Sequence, residues 1–420
     1  MSAEAKAIRL RDERVIHVIN KFISLNDDDT KRNNEILKYV IDEIVDVLKR
    51  KHEFFRDHFQ NIVFAGSYYK GTKVGKPDEF DLNLIIRLPL NYESIKLERD
   101  YPGFIKLKLN KDGYLPKWQE HSKVLSKWIS PDGYLNQDKF RQWMESLFDD
   151  MPKQTRNGKY RLKVTKSGPA FTLNVAGPGL SPSTMCVDLV PVLEFKNQLN
   201  PLQAKFGLRD ERWYAVPKPF RADQGTPPLN WRPSFYSFEK NMLKKDGKYK
   251  QVIRQVKKLR DTQNWKPIAS YHIETLFMHE IIAINSDNAS IASVLQRLSG
   301  IELFLHMLQR LRQACAEGKI LNFWDRDHNL IGHLSASVLA NIEGRLARII
   351  KDIKADPLKI ANFVLLPGEL LQVGQELEDI RNGGVPGNII QLPPQSAEPR
   401  EAQGGGFFWN LFQRIFAIMV

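Results

Sequence analysis

Hydrophobic and polar positions alternate with two different periodicities along the chain, and each periodicity predicts a different kind of secondary structure. Residues 61–65 and 79–86 are short apolar runs, and residues 160–176 and 185–193 contain alternating or β-branched residues. These patterns predict strands of one mixed sheet. From about residue 235 onward, apolar residues recur every three or four positions, which predicts helices. The clearest helical stripe consists of Leu334, Val338, Ile342, Leu346, Ile349 and Ile353.

Two further helices are expected before the first strand. Residues 3–24 carry Val15, Ile19, Phe22 and Ile23 at helical spacing. The polar run at 26–30 interrupts this helix and offers caps for a second one. The apolar face of that second helix consists of Ile36, Leu37, Val40, Ile41, Ile44, Val45 and Leu48.

These patterns divide the chain into five segments. N-terminal helices at 1–60 pack on a sheet-containing core at 61–230, which is followed by a helical lobe at 231–382. Residues 383–405 are rich in Gly, Pro, Gln and Ser and predict a flexible linker, and 406–420 form a hydrophobic tail. The tail is too short to cross a bilayer. The tail could lie in a membrane interface, bind a partner or pack on this chain, and the sequence does not decide among the three.

Composition and charge limit the kinds of binding partner and the cellular compartment that are expected for this chain. The 62 Lys and Arg residues against 49 Asp and Glu residues give a net charge of +13. This charge favours nucleic acid, nucleotides or an acidic membrane as a partner, and an inert basic surface is the alternative. The two cysteines, Cys186 and Cys315, exclude a disulfide framework and a cysteine-rich zinc site. A reducing, cytoplasmic location is expected, because no secretory signal and no run of 18 apolar residues is found.

Carboxylates on the predicted strands suggest metal chemistry. Glu79 and Asp81 are two positions apart on a strand, so their side chains share one face and repel each other unless a cation lies between them. Magnesium prefers such oxygen ligands, although two solvated acids on an edge strand are the alternative. Asp188 lies in an otherwise apolar run, where a carboxylate needs either a metal or a basic partner. Gly66 and Ser67 follow a strand and offer backbone amides and a hydroxyl to a phosphate.

The order of these residues resembles the signature of polymerase-β-like nucleotidyltransferases. More of the chain, between about residues 60 and 325, resembles the Mab-21 superfamily and its cGAS-like receptors. The matching stretches are 66–69, 79–81, 168–173, 187–188, 214–218, 231–235 with 239–240, and 270–273. The resemblance implies an α+β fold with a polymerase-β-like nucleotidyltransferase core built on a mixed sheet. A C-terminal helical lobe follows, and the active site lies in the cleft between the two.

The resemblance also implies roles for individual residues. Glu79, Asp81 and Asp188 correspond to a catalytic triad that binds two Mg²⁺ or Mn²⁺ ions. The implied nucleotide-binding residues are Ser67, Asp188, Arg232, Ser234, Glu239, Arg254, Lys257, Ser270 and Tyr271. Arg254 and Lys257 are alternatives for one cation that contacts the triphosphate. Tyr271 and Trp231 have core packing as a second interpretation.

The chain departs from the vertebrate members of this family at one place. Vertebrate cGAS carries a zinc-binding insertion before the phosphate-contacting helix, whereas residues 244–250 here read KKDGKYK, so no zinc is expected. Invertebrate members without the insertion resemble sensors of double-stranded RNA rather than DNA. We therefore expect such RNA to bind at Lys244, Lys245, Lys248 and Lys250, with the N-terminal helices completing the surface. A solvated basic face is the alternative.

The function implied by the resemblance is nucleic-acid-activated synthesis of cyclic GMP-AMP, or a close relative, from ATP and GTP. The product would act as an innate immune second messenger. The linkage order and assembly as a dimer on nucleic acid stay open. A catalytically silent Mab-21-like binding protein and an RNA-tailing nucleotidyltransferase are the alternatives. The complete set of carboxylates argues against the first, and the matches beyond the carboxylates argue against the second.

Overall fold

The computed structural model describes residues 3–110, 113–167, 170–196, 212–218, 228–244, 247–286 and 298–383. The described residues belong to two compact units. Counting only the described residues, the sheet unit lies within Leu25–Asp246 and Trp324–His328, and the helical unit lies within Met1–Ser24, Gly247–Phe323 and Asn329–Val420.

A mixed sheet of nine strands, counted in the described residues, forms the centre of the sheet unit. The strands are β1 (Phe59–Ala65), β2 (Glu79–Ile86), β3 (Lys96–Arg99), β4 (Ile105–Lys108), β5 (Arg161–Ser167), β6 (Ala170–Ala176), β7 (Thr184–Phe195), β8 (Trp213–Val216) and β9 (Asn230–Ser234). Their order is β1-β2-β7-β8-β9-β4-β3, and β5 joins through β6, which pairs with β7.

The central strand β7 organises this sheet. β2 runs parallel to it along one edge. β6 and then β8 pair antiparallel with successive stretches of its other edge. Residues along the first half of β7 alternate between buried and half-buried positions, so one face of the sheet is packed and the other is partly open. Asp188 lies on the partly open face. Its apolar neighbours in sequence therefore do not surround it in space.

Seven α-helices, counted in the described residues, belong to the sheet unit. They are α2 (Asp27–Lys51), α3 (Glu53–His58), α4 (Gly66–Lys70), α5 (Lys117–Glu120), α6 (Ser122–Leu125), α7 (Gln137–Asp149) and α8 (Tyr236–Lys244). Asn26 caps α2 by accepting a hydrogen bond from the Asp29 amide at 2.9 Å, which satisfies one otherwise unpaired donor. The segment Trp324–His328 joins this unit through Asp325, whose carboxylate accepts bonds from the Gly103 amide at 2.7 Å and from Arg99 at 2.6 Å.

The helical unit is built from seven α-helices, counted in the described residues. They are α1 (Ala3–Asn20), α9 (Gly247–Thr262), α10 (Ser270–Ser286), α11 (Gly300–Glu317), α12 (Ala336–Ala355), α13 (Ile360–Val364) and α14 (Pro367–Arg381). Ser299 and Glu302 cap the start of α11 reciprocally. Four members of the predicted stripe are buried on α12, namely Ile342, Leu346, Ile349 and Ile353. Val338 is half-buried in the first turn of α12, and Leu334, also half-buried, precedes the helix.

The α+β class predicted from sequence is confirmed. β2 has the predicted bounds, whereas the helix expected at 3–24 ends at Asn20 and the strand expected at 61–65 begins at Phe59. The compact units divide the expected 1–60 segment, since α1 belongs to the helical unit and α2 to the sheet unit. Apart from Gly383, the predicted linker and the hydrophobic tail lie outside the described residues. Among the described helices, none has the length and apolar character needed to cross a membrane.

Candidate active site

Two carboxylates face each other across the parallel strands β2 and β7. Asp81 and Asp188 are register partners, and both are half-buried. Glu79 lies two positions before Asp81 on the same side of the strand, and its register partner is Cys186. The pairing of two strands that are far apart in sequence therefore brings the predicted carboxylates to one face of the sheet.

A threonine on the next strand holds Asp188. Thr172 of β6 is the register partner of Asp188, and its Oγ1 donates a hydrogen bond to Oδ1 of the aspartate at 2.5 Å. Thr172, Asp188 and Asp81 thus form a row across three adjacent strands. Thr172 lies in the family-like stretch 168–173, but the sequence alone does not indicate a role for it. The alternation along 170–176, which turns Thr172 and Asn174 to the partly open face, was the available signal.

Gly66 makes room for the Asp81 carboxylate. It follows β1, where Ala65 is the register partner of Asp81, and it begins α4 with a φ of +72°. A Cβ at position 66 would lie 1.7 Å from Oδ2 of Asp81. The glycine is therefore required both by its backbone conformation and by the space that Asp81 occupies.

Glu79 is turned toward a lysine rather than toward the two aspartates. Its carboxylate, 71 % exposed, pairs with Nζ of Lys73, which also lies 3.5 Å from Oδ1 of Asp78. As these side chains stand, no group of three or more His, Cys, Asp or Glu residues in the described ranges could hold a metal ion. A metal site that includes all three predicted ligands therefore requires Glu79 to leave Lys73.

The electrostatics of Asp81 and Asp188 nevertheless suit a divalent cation. Burial, then the nearby Asp188 and Glu79 carboxylates, raise the pKa of Asp81 to about 6, against the opposing effect of Lys73 and Lys70. Within the described residues, neither Asp81 nor Asp188 forms an ion pair with a lysine or arginine. Carboxylate oxygens without a basic partner, on adjacent strands, are the donor set that Mg²⁺ and Mn²⁺ prefer. The residues present therefore fit such an ion.

The predicted nucleotide-binding residues of β9 and α4 also lie in the sheet unit. Ser67 is the second residue of α4 and is half-buried. Arg232 and Ser234 alternate on β9, so they share a face, and both are half-buried. Lys218, just beyond β8, lies close enough to Arg232 that burial and then this arginine lower its pKa to about 8. Lys218 lies in the family-like stretch 214–218, but the sequence alone does not indicate a role for it.

Glu239 occupies a buried network rather than an open surface. One carboxylate oxygen accepts a bond from Nζ of Lys70 at 2.7 Å, and the other accepts a bond from Nε1 of Trp324 at 3.0 Å. The Lys70 ammonium also lies 5.5 Å from the ring centroid of Tyr236. A nucleotide could reach Glu239 only by displacing one of these partners, and its predicted role in binding remains a prediction.

The remaining nucleotide-binding predictions fall in the helical unit. Nζ of Lys257 forms an ion pair with Glu274 at 2.6 Å, and these side chains are only 3 % and 5 % exposed. Arg254 is half-buried, and burial lowers its pKa. Ser270 accepts a hydrogen bond from Arg260 at 2.9 Å, and Tyr271 is half-buried. Of the two alternative phosphate-binding cations, Lys257 is therefore already committed to an internal carboxylate.

The predicted RNA-binding lysines are only partly described. Lys245 and the side chain of Lys244 lie outside the described residues. Lys248 and Lys250 lie on α9 and are half-buried. Nζ of Lys248 donates a hydrogen bond to the Leu298 carbonyl oxygen at 2.7 Å. Lys248 therefore has an internal partner that a phosphate would have to replace.

Comparison with known proteins agrees with this architecture. Residues 68–245 match the model of the Mab-21 protein nucleotidyltransferase domain, and residues 248–348 match that of the Mab-21 protein HhH/H2TH-like domain. The carboxylate-bearing sheet thus belongs to a nucleotidyltransferase domain.

Three insect relatives carry the name cyclic GMP-AMP synthase-like receptor. The relative from Microplitis demolitor is 40 % identical, over 88 % of this chain and 71 % of its own length. The one from Trichogramma pretiosum is 40 % identical over 89 % of this chain and 80 % of its own length. The one from Tribolium castaneum is 30 % identical over 89 % of this chain and 96 % of its own length. This chain therefore belongs to the Mab-21 family, among the cyclic GMP-AMP synthase-like receptors.

The contact between Gly66 and Asp81 predicts a sharp difference between two glycine variants. Gly66→Ala should displace the Asp81 carboxylate and lower nucleotidyl transfer by roughly 10²-fold or more, because the new Cβ takes the place of Oδ2. Gly75→Ala is the matched control, since Gly75 also has a positive φ, +88°, but has open space around its Cβ position. It should lose about 1–2 kcal/mol of stability and keep its activity. Equal activity losses in the two variants, measured beside their unfolding free energies, would contradict this account of Gly66.

The pairing of Lys257 with Glu274 predicts a structural role that unfolding experiments can detect. Lys257→Met should lower the free energy of unfolding by about 3–5 kcal/mol, because it leaves a buried carboxylate without its cation. Lys258→Met is the control on the same helix. Its pair with Glu369 is more exposed, so about 1 kcal/mol should be lost. Urea unfolding measures both values, and a Lys257→Met variant as stable as the control would disprove the structural role.

Proposed function

We propose that this chain joins ATP and GTP into cyclic GMP-AMP, or a close relative, when double-stranded RNA binds to it. The observation that carries the proposal is the pairing of Asp81 with Asp188 on adjacent parallel strands, with Gly66 packed against Asp81. The names of the relatives support the cyclic product, and the nucleotidyltransferase domain supports the reaction class.

The proposed catalytic residues are Glu79, Asp81 and Asp188. Two Mg²⁺ or Mn²⁺ ions, held by these carboxylates, would activate an attacking hydroxyl and neutralise the triphosphate with its leaving group. Thr172 fixes the orientation of the Asp188 carboxylate through its hydrogen bond. Glu79 pairs with Lys73, so we expect Glu79 to exchange partners when it joins the two aspartates in holding the ions.

The substrates are recognised mainly through phosphate and base contacts. Ser67 lies beside Gly66 and offers its hydroxyl to the triphosphate of one nucleotide. Arg232, Ser234 and the adjacent Lys218 supply cationic and polar groups on and beside β9. In each of two successive steps, a ribose hydroxyl forms a bond to an α-phosphorus atom. The bond from that phosphorus to the β-phosphate oxygen breaks, and pyrophosphate leaves.

Double-stranded RNA is proposed as the activator because of the basic charge of the chain, +13 overall. A-form RNA is recognised largely through shape and backbone contacts, which basic side chains supply without reading bases. The proposed surface contains Lys244, Lys245, Lys248 and Lys250. Two basic residues of α2, Arg32 and Arg50, contribute less, because they already pair with Asp29 and Asp46.

A single set of incubations tests the reaction and its activator. Purified protein is supplied with ATP, GTP and Mg²⁺ or Mn²⁺, with long double-stranded RNA, with double-stranded DNA or with neither, and the products are identified by mass spectrometry. We expect a cyclic dinucleotide only with RNA. Asp188→Asn should abolish it while leaving folding and RNA binding nearly unchanged. Asp132→Asn, which changes an exposed aspartate in a turn, is the control and should retain full activity.

Each other outcome assigns a different function. Extended RNA products would indicate a tailing transferase. RNA binding without any nucleotide product would indicate a catalytically silent binding protein. Equal activation by DNA would overturn the choice of RNA, and normal synthesis by Asp188→Asn would overturn the catalytic site itself.

A further inference from the structure

One buried side chain of α2 is hydrogen-bonded to the segments that precede both carboxylate-bearing strands. Asn33 is fully buried. Its Nδ2 donates hydrogen bonds to the carbonyl oxygens of Pro77, at 2.8 Å, and Ser181, at 2.9 Å. Its Oδ1 accepts a bond from the Ser181 amide at 3.3 Å. A single amide group thus uses both of its donors and its acceptor on two separate segments of backbone.

Those two segments lead directly into β2 and β7. Pro77 lies two positions before Glu79, the first residue of β2, and Ser181 lies three positions before Thr184, the first residue of β7. Between them, the Cys186 amide donates a hydrogen bond to the Asp78 carbonyl oxygen at 2.8 Å. Asn33 therefore fixes the starts of both strands to the same helix, and through them the relative positions of Asp81 and Asp188.

The next residue of α2 makes a corresponding contact to α4. Nδ2 of Asn34 donates a hydrogen bond to the Tyr68 hydroxyl at 2.8 Å. Tyr68 is buried in α4, the helix that begins with Gly66 and Ser67, and its ring lies 4.7 Å from that of Phe80 on β2. Asn34 thus ties α2 to the third segment that carries the proposed site.

We propose that Asn33 and Asn34 are positioning residues for nucleotidyl transfer, and this inference rests on the function proposed above. Together they set the separation of Asp81 from Asp188 and the place of Ser67 relative to both. Divalent ions such as Mg²⁺ demand near-ideal ligand geometry, so a small displacement of one strand end lowers turnover more than it lowers substrate affinity. A merely structural role predicts a loss of stability alone.

Four variants separate these two roles. Asn33→Asp keeps the side-chain volume but leaves at most one of the two donated hydrogen bonds, from a protonated carboxyl group. Asn34→Ala and Tyr68→Phe each remove one partner of the same bond, and their double variant tests whether the two act together. Asn136→Ala is the matched control. It removes an N-cap that accepts bonds from the Asp138 and Lys139 amides, at 2.9 and 3.1 Å, on a helix that carries none of the proposed site.

The activity measurements are kcat, KM for ATP and the Mn²⁺ concentration that gives half-maximal rate. Asn33→Asp should lower kcat by roughly 10²-fold and raise the required Mn²⁺ concentration, with KM for ATP changed less than about twofold. Asn34→Ala and Tyr68→Phe should show smaller, similar losses, and the double variant should be no worse than either single variant. Asn136→Ala should keep the wild-type kcat. Losses in kcat no larger than in that control, or additive losses in the double variant, would overturn the proposal.

Amide hydrogen exchange provides a readout that is independent of activity. Asn33→Asp should speed exchange at the amides of 79–81 and 186–188, and Asn34→Ala should speed exchange in 66–70, relative to Asn136→Ala. If the wild-type protein forms no nucleotide product, the proposed function fails, and exchange alone decides whether the two asparagines position these segments. Exchange that matches the control at all three segments would reject the positioning role in either case.

Discussion

Two carboxylates held side by side on adjacent strands, with no lysine or arginine paired to either among the described residues, are the constraint on which the candidate site depends. Asp81 and Asp188 are register partners in a parallel pair, so strand pairing places them side by side. Burial of Asp81, and after it the repulsion from the nearby Asp188 and Glu79 carboxylates, raises the pKa of Asp81 to about 6. A fold that maintains this arrangement sacrifices stability at one point, and such points are characteristic of functional sites.

The groups around the two aspartates support them without neutralising them. Thr172 donates to Asp188, and Gly66 provides space for Asp81. Lys73 instead pairs with Glu79, two positions before Asp81 on β2. By contrast, Glu239 and Glu274 each form a buried ion pair with a lysine, Lys70 and Lys257 respectively. This difference distinguishes carboxylates available to a metal ion from carboxylates already paired with a lysine.

Local sequence patterns predicted the strands that carry the candidate site better than they predicted which residues pair across those strands. The bounds of β2 and the alternation in 170–176 follow from local patterns, because strand periodicity depends on near neighbours. The register of β2 with β7 does not, since it joins residues about a hundred positions apart. The apolar run around Asp188 suggested that its carboxylate is buried. Asp188 is only half-buried, because it lies on the partly open face of the strand. Side-chain partners such as Glu274 for Lys257 are likewise set by tertiary packing, so a lysine in a phosphate-binding motif can be committed elsewhere.

The most direct test of the central claim, that Asp81 and Asp188 together hold a divalent cation, is anomalous scattering from Mn²⁺ in crystals grown with ATP. The account predicts a manganese peak at ligand distance, roughly 2.1 Å, from carboxylate oxygens of both residues, with Glu79 released from Lys73. The peak should be lost in Asp188→Asn crystals grown under the same conditions. Bound ATP with no manganese at this pair, and with Glu79 still on Lys73, would contradict the account.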